Sequence, residues 1–149
     1  MENKRLFGRI CCLQRHMSRE NNFLFAGYGI TPVQMDALVF VLRRTRQGEK
    51  VCQKDIEKHV NLRASSVSTL LTTLEKKGYL VRNVADGDAR TKYITLTEKG
   101  NVLCEEKKLY MDRCDALVQS ALTEEEQETF ITLLNKIMSG INPEKEDTK

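Results

Sequence analysis

Asn61-Leu62-Arg63-Ala64-Ser65-Ser66-Val67-Ser68-Thr69-Leu70-Leu71-Thr72-Thr73-Leu74-Glu75-Lys76-Lys77 is the stretch on which the fold turns, and Gly78 closes it. Val67, Leu70, Leu71 and Leu74 recur at i, i+3, i+4 and i+7, the period of an amphipathic helix. The spacing predicts one helix over 61–77. Its other face carries Arg63, Ser65, Ser66, Ser68, Thr69, Thr72, Thr73 and Lys76. Ser and Thr are weak helix formers because their hydroxyls compete for backbone groups. Six of them in one helix point to selection for something other than helix stability. Next come Tyr79-Leu80-Val81-Arg82-Asn83-Val84, then Ala85-Asp86-Gly87-Asp88-Ala89-Arg90-Thr91, then Lys92-Tyr93-Ile94-Thr95-Leu96. The outer runs predict strands over 80–84 and 92–96, with Asp86-Gly87-Asp88 as the turn signal. A helix followed by a basic two-stranded ribbon can meet a duplex twice. The helix suits the major groove, and the ribbon tip can reach the adjacent minor groove.

Helices flank this segment on both sides. Leu6, Ile10, Leu13 and Met17 predict a helix over 5–26, ended by Gly27 and Gly29. Thr31-Pro32-Val33-Gln34 starts another, with Thr31 as N-cap, Pro32 at the first position and Gln34 closing a capping box. Behind it Met35, Leu38, Val39 and Leu42 share a stripe, and Gly48 breaks the helix before Lys50-Val51. A short helix over 53–60 buries Ile56 and Val60, and its N-cap position falls on Cys52. Thr97 caps a long helix to about 121, and Thr123-Glu124-Glu125-Glu126 is a capping box for the last one. That last helix aligns Phe130, Leu133, Leu134, Ile137 and Ile141. The tail over 143–149 is polar and expected to fray. The terminal helices carry more apolar surface than one small winged domain can cover. A symmetric homodimer built from both chain ends is the economical answer.

A chain of 149 residues fits one domain, or one domain with a dimerisation arm. The net charge of +3 is unevenly spread. Residues 50–96 hold nine Lys/Arg against five Asp/Glu, whereas residues 97–149 hold seven against twelve. A basic centre beside an acidic C-terminal third favours a polyanion on one face. A helical interaction module using its basic face on an acidic protein is the competing class. Steep loss of duplex binding with salt separates the two. No run approaches the ~18 apolar residues of a membrane helix, and no signal peptide is expected. Five cysteines without scaffold spacing fit reduced thiols in a cytoplasm.

Several fragments in this order resemble the MarR family of bacterial winged-helix regulators. They are Leu74-Glu75-Lys76-Lys77-Gly78-Tyr79-Leu80-Val81-Arg82, then Asp88-Ala89-Arg90, then Leu96-Thr97-Glu98-Lys99-Gly100, with Thr31-Pro32-Val33-Gln34 upstream. The resemblance runs over roughly residues 5–140. It implies a mainly α chain: a winged helix-turn-helix over 31–97 with a three-element β wing, and an all-helical dimerisation region from 1–30 and 98–142. It also implies a homodimeric regulator, expected to be a repressor on a pseudo-palindromic DNA operator, released by a small-molecule ligand or an oxidant. Arg63, Ser65, Ser66, Ser68, Thr69, Thr72, Thr73, Lys76, Arg90 and Lys92 are the expected DNA-binding residues. Arg90 would enter the minor groove and Asp88 would support the wing. Family members often carry Arg near Thr69 or Thr73 and Asp near Thr72. An acid missing at Thr72 removes one anchor for the wing arginine, and one tip arginine stands where two often do.

Enzyme chemistry is not expected. The two histidines, His16 and His59, lack a Ser-His-Asp setting, and no phosphate loop or carboxylate-rich metal motif is visible. Adjacent Cys11-Cys12 is not zinc-ligand spacing, so neither metal nor cofactor is expected. Some branches of the family sense oxidants through a first-helix cysteine. Cys11 and Cys12 are the candidates here, near Arg9 and Arg15, because a nearby guanidinium promotes thiol reactivity. Cys52, at a helix start, is a further thiol. Cys104 and Cys114 fall at apolar spacing and read as core. An effector pocket would draw on His16, Met17, Tyr28, Met35 and Tyr110.

Overall fold

The computed structural model describes residues 5–85 and 88–141, and their side chains except those of 20–26, 85 and 88–90. Among the described residues the order is α1 (Leu6–Ala26), α2 (Pro32–Arg46), β1 (Val51–Cys52), α3 (Gln53–Val60), α4 (Ala64–Lys76), β2 (Leu80–Ala85), β3 (Asp88–Leu96), α5 (Glu98–Ser120) and α6 (Glu124–Ile141). This is the winged helix-turn-helix architecture. The chain divides into two compact units, Met1–Leu109 and Tyr110–Lys149, so the boundary falls inside α5.

Local chemistry sets most element ends. Thr31 accepts the Gln34 N–H at 3.3 Å, and the Gln34 side chain accepts the Thr31 N–H at 3.0 Å. Two backbone donors orphaned at the start of α2 are thereby satisfied. At α3 the N-cap is Cys52, whose N–H donates to Asp55 Oδ2 at 2.9 Å. That bond holds the Asp55 carboxyl below the usual carboxylate range.

Two boundaries differ from the sequence expectation. α4 begins at Ala64 and not at 61, because Asn61 takes a left-handed conformation, φ 53°, as the C-cap of α3. Asn tolerates that region better than most residues. Leu62 then donates to the Glu57 carbonyl at 3.3 Å, so 61–63 form the turn between the two helices. The strands are also longer than 80–84 and 92–96. Cross-strand pairing continues to Ala85↔Asp88, past a register shift between Val84 and Ala85. Asp86 and Gly87, expected as the turn, and the tail over 143–149 lie outside the described residues.

The sheet is antiparallel in the order β1–β3–β2, with Val51 opposite Ile94 and Leu80 opposite Leu96. Its inner residues Val51, Leu80 and Ile94 close the core of the first unit. α2 contributes Met35, Ala37, Leu38, Phe40 and Val41, α3 contributes Ile56, and α4 contributes Val67, Leu70, Leu71 and Leu74. α5 adds Leu103 and Cys104. Burial of this kind, at about 25 cal/mol per Å² of apolar surface, overrides the weak helix propensity of α4.

The join from α4 to α5 is tight. Gly78, at φ 77°, ends α4. Its N–H donates to the Glu75 carbonyl at 2.9 Å, and the Tyr79 N–H donates to the Leu74 carbonyl at 3.0 Å, the Schellman pattern. Thr97 donates its hydroxyl to the Gly78 carbonyl at 2.6 Å and accepts the Gly100 N–H at 3.2 Å. A Cβ on Gly100 would stand 2.1 Å from the Tyr79 carbonyl oxygen, so only glycine fits there.

In the second unit, Thr123 and Glu126 form the capping box of α6. Gln127 Nε2 donates to the carbonyls of Gln119 and Leu122, both at 3.1 Å, and so fixes the turn before it. Tyr110 and Cys114 are buried, yet no described residue of α6 is.

Candidate nucleic-acid interface

Burial of Val67, Leu70, Leu71 and Leu74 turns the opposite side of α4 outward. Ser65, Ser66, Thr69 and Lys76 are exposed, as is Arg63 at the N-cap, while Ser68, Thr72 and Thr73 are half-buried. Two of the hydroxyls are committed to the helix itself. Thr69 donates to the Ser65 carbonyl at 3.1 Å, and Thr73 donates to the Thr69 carbonyl at 2.9 Å.

Thr72 faces the wing. Arg82 of β2 donates Nη2 to Thr72 Oγ1 at 3.2 Å. The same guanidinium donates Nε and Nη2 to Glu75 Oε2 at 3.0 and 2.5 Å, and the Arg82 N–H reaches Glu75 Oε1 at 3.3 Å. Glu75, three residues after Thr72, is thus the acid that meets Arg82, and the guanidinium holds its carboxyl below the ordinary range. The partner is the β2 arginine, Arg82, and α4 and the wing are joined by a charged fork.

Other polar contacts set the frame. Gln53 Nε2 donates to Glu57 Oε1 at 2.9 Å and to the Ala64 carbonyl at 3.2 Å, bridging α3 to the first residue of α4. Lys50 Nζ lies 5.0 Å from the Tyr93 ring centroid, which places a cation beside β3. Lys77 Nζ donates to the Gly29 carbonyl, and Lys99 Nζ to the Lys77 carbonyl at 2.8 Å. Lys50, Lys77 and Lys99 thus place positive charge around the ends of α4 and beside β3.

The MarR family model matches residues 28–91, the segment that contains α2, α3, α4 and most of the wing. The HTH-type transcriptional regulator YwhA of Bacillus subtilis is 33% identical over 98 residues, covering 66% of this chain and 70% of that protein. This chain belongs to the MarR family. A Bacillus cereus HTH-type regulator is 31% identical over 121 residues, 78% of this chain and 75% of its own length. Among solved structures, a mutant of S. aureus MepR superposes with a TM-score of 0.74 at 28% identity, over 95% of this chain and 99% of that one. The S. aureus MepR–DNA complex superposes with a TM-score of 0.70 at 29% identity, over 89% and 94%. The MarR relatives are transcriptional regulators, and this chain is a DNA-binding regulator of that kind.

The remaining expected residues fall in different settings. Lys92 is exposed on β3, whereas the side chains of Asp88 and Arg90 lie outside the described ones. Of the pocket residues, Met35 is packed in the core and Tyr110 is buried in the second unit. His16 is exposed, Met17 is half-buried, and exposed Tyr28 donates to Glu106 Oε2 at 2.6 Å. That hydrogen bond raises the Tyr28 phenol pKa above its ordinary value. Cys12 is exposed and Cys11 half-buried, while burial pushes the Cys104 thiol up to about 11. Among the described residues no three His, Cys, Asp or Glu side chains cluster to hold a metal, and no helix is long and apolar enough to cross a membrane.

Sequence reasoning missed Arg82, Glu75 and Gln53 as organisers of this surface. Glu75 and Arg82 stand seven residues apart across a glycine turn, a separation with no periodic signature.

Proposed function

We propose that this chain is a homodimeric repressor that sets one α4 into each major-groove half-site of a pseudo-palindromic operator and leaves it when a small molecule binds. The carrying observation is the exposed hydroxyl face of α4, flanked by Arg63 and Lys76 and forked to the wing through Glu75 and Arg82. Short hydroxyls approach base edges closely, and the flanking cations suit phosphates. The S. aureus MepR–DNA complex supports duplex DNA as the partner. Arg90 is assigned to the minor groove, where a guanidinium reads groove width more than base identity, with Asp88 as wing support. Exposed Leu6, Phe7, Ile10 and Leu13 of α1, and the apolar side of α6, support dimerisation through both chain ends. S. aureus MepR bound to ethidium bromide supports a small-molecule effector, with His16, Met17 and Tyr28 as accessible candidates. The protein acts in the cytoplasm, beside its operator.

The test is selection of bound duplexes from genomic fragments, followed by titration of the recovered duplex. Affinity is expected to fall by roughly 0.9 log unit per log unit of salt for each phosphate contacted. A salt-independent affinity, or no enrichment, overturns the reading. Removing the protein from cells carrying an operator reporter is expected to raise expression, and a fall makes it an activator.

Exposed Cys12 favours a second route of release, in which a peroxide oxidises the thiol to a sulfenic acid and is itself reduced to water or an alcohol. Unchanged peroxide response in both Cys11→Ser and Cys12→Ser removes that route.

A further inference from the structure

Granted the DNA-binding reading above, the hydroxyl bonding of α4 bears on which base pair it prefers. Thr69 is exposed in mid-helix, one turn after Ser65. A hydroxyl has one proton and two lone pairs. The Thr69 proton is held by the Ser65 carbonyl at 3.1 Å, and the Thr73 proton by the Thr69 carbonyl at 2.9 Å. What Thr69 then offers outward is a methyl group and an oxygen that only accepts. Thr72, on the flank toward the wing, already accepts from Arg82. The cationic donors, Arg63 and Lys76, stand at the N-cap and in the last turn, at the two ends of the face.

Cytosine and adenine both show an amino donor that an accepting oxygen can meet, so within this inventory it is the methyl that singles out one class of base pair. In the major groove guanine shows two acceptors, N7 and O6, which an acceptor oxygen opposes. An A·T pair shows an amino donor on adenine and a C5 methyl on thymine. We propose that Thr69 selects an A·T pair within each half-site by laying its methyl against the thymine methyl, while its oxygen disfavours a guanine edge. Specificity at the centre of α4 is then apolar and shape-based, with the charged donors kept for its ends.

The experiment uses full-length protein and the duplex recovered from genomic selection, with each thymine replaced singly by deoxyuridine, which removes only the methyl. For the unaltered protein, one thymine in each half-site is expected to bind about four-fold more weakly once its methyl is lost, the equivalent of one buried methyl. Thr69→Ser keeps the hydroxyl and loses the methyl. It should bind the thymine duplex more weakly by the same factor and be indifferent to deoxyuridine at that position. Thr69→Val keeps a methyl and loses the hydroxyl, and should retain both affinity and deoxyuridine sensitivity. Helix content by circular dichroism confirms that both variants fold. The proposal is overturned if no thymine shows a methyl effect that depends on residue 69. It is equally overturned if Thr69→Val loses as much affinity as Thr69→Ser, because the hydroxyl is then the reading group. Failure of the unaltered protein to retain any duplex is a separate result that removes the DNA-binding reading itself.

Discussion

Arg82 shows how one residue can organise a surface it does not itself form. Its side chain is 22% exposed, and its guanidinium joins β2 to both Thr72 and Glu75 of α4. Hydrogen bonds to charged groups contribute roughly 1.5–3 kcal/mol. The Glu75 side chain is 36% exposed, so solvent screening reduces the pair to about 1 kcal/mol. Arg82→Ala is therefore expected to lose about that much stability in urea denaturation and to weaken operator binding while leaving the salt slope unchanged. A slope lower by about one unit would place Arg82 on a phosphate instead. The Glu75 carboxyl is depressed in the folded state, mainly by the hydrogen bond from Arg82. Its stabilisation is full above the ordinary value of 4.5 and is lost as pH falls through the lower folded value. Thermal melts below pH 4.5 should show this acid loss in the unaltered protein and a smaller one in Glu75→Gln.

At the scale of elements, caps and periods were legible because they are local. The Thr31–Gln34 and Thr123–Glu126 boxes form as their spacing predicts, and the apolar stripe of α4 is buried as read. The start of α4 is not legible in the sequence, because Asn61 joins a helix or a left-handed turn depending on the chain beyond it. The full length of the wing strands is not legible either, because a charged, glycine-containing segment has the composition of a loop until a facing strand pairs with it. Gly100 belongs to the same class: a glycine in a helical first turn has no local reason, and its cause is the Tyr79 carbonyl oxygen packed against it. Gly100→Ala forces that backbone apart and is expected to cost about 1–3 kcal/mol, the range for overpacking, measured by denaturant unfolding. Because α5 would be pushed from the end of α4, operator affinity should fall as well.

For the whole molecule, the decisive observation is apolar surface left uncovered. Leu133 is 53% exposed, Ile137 43% and Met138 57%, all on α6, and Phe7 of α1 is 79% exposed. A lone chain rarely keeps such stripes in water. On the homodimer proposed above, Ile137→Asp is expected to give a monomer in sedimentation and to abolish tight binding to the proposed two-half-site operator. A variant that remains dimeric would place the interface elsewhere. The sequence by itself determined the helices, their caps, the hydroxyl face of α4 and the family, because each rests on spacing within a few residues. Only the tertiary structure decided that Arg82 pairs with Glu75, that Met35 packs into the core of the first unit, and that Gly100 is sterically required. Those outcomes depend on residues brought together by chain reversal, where side-chain reach and packing choose the partner.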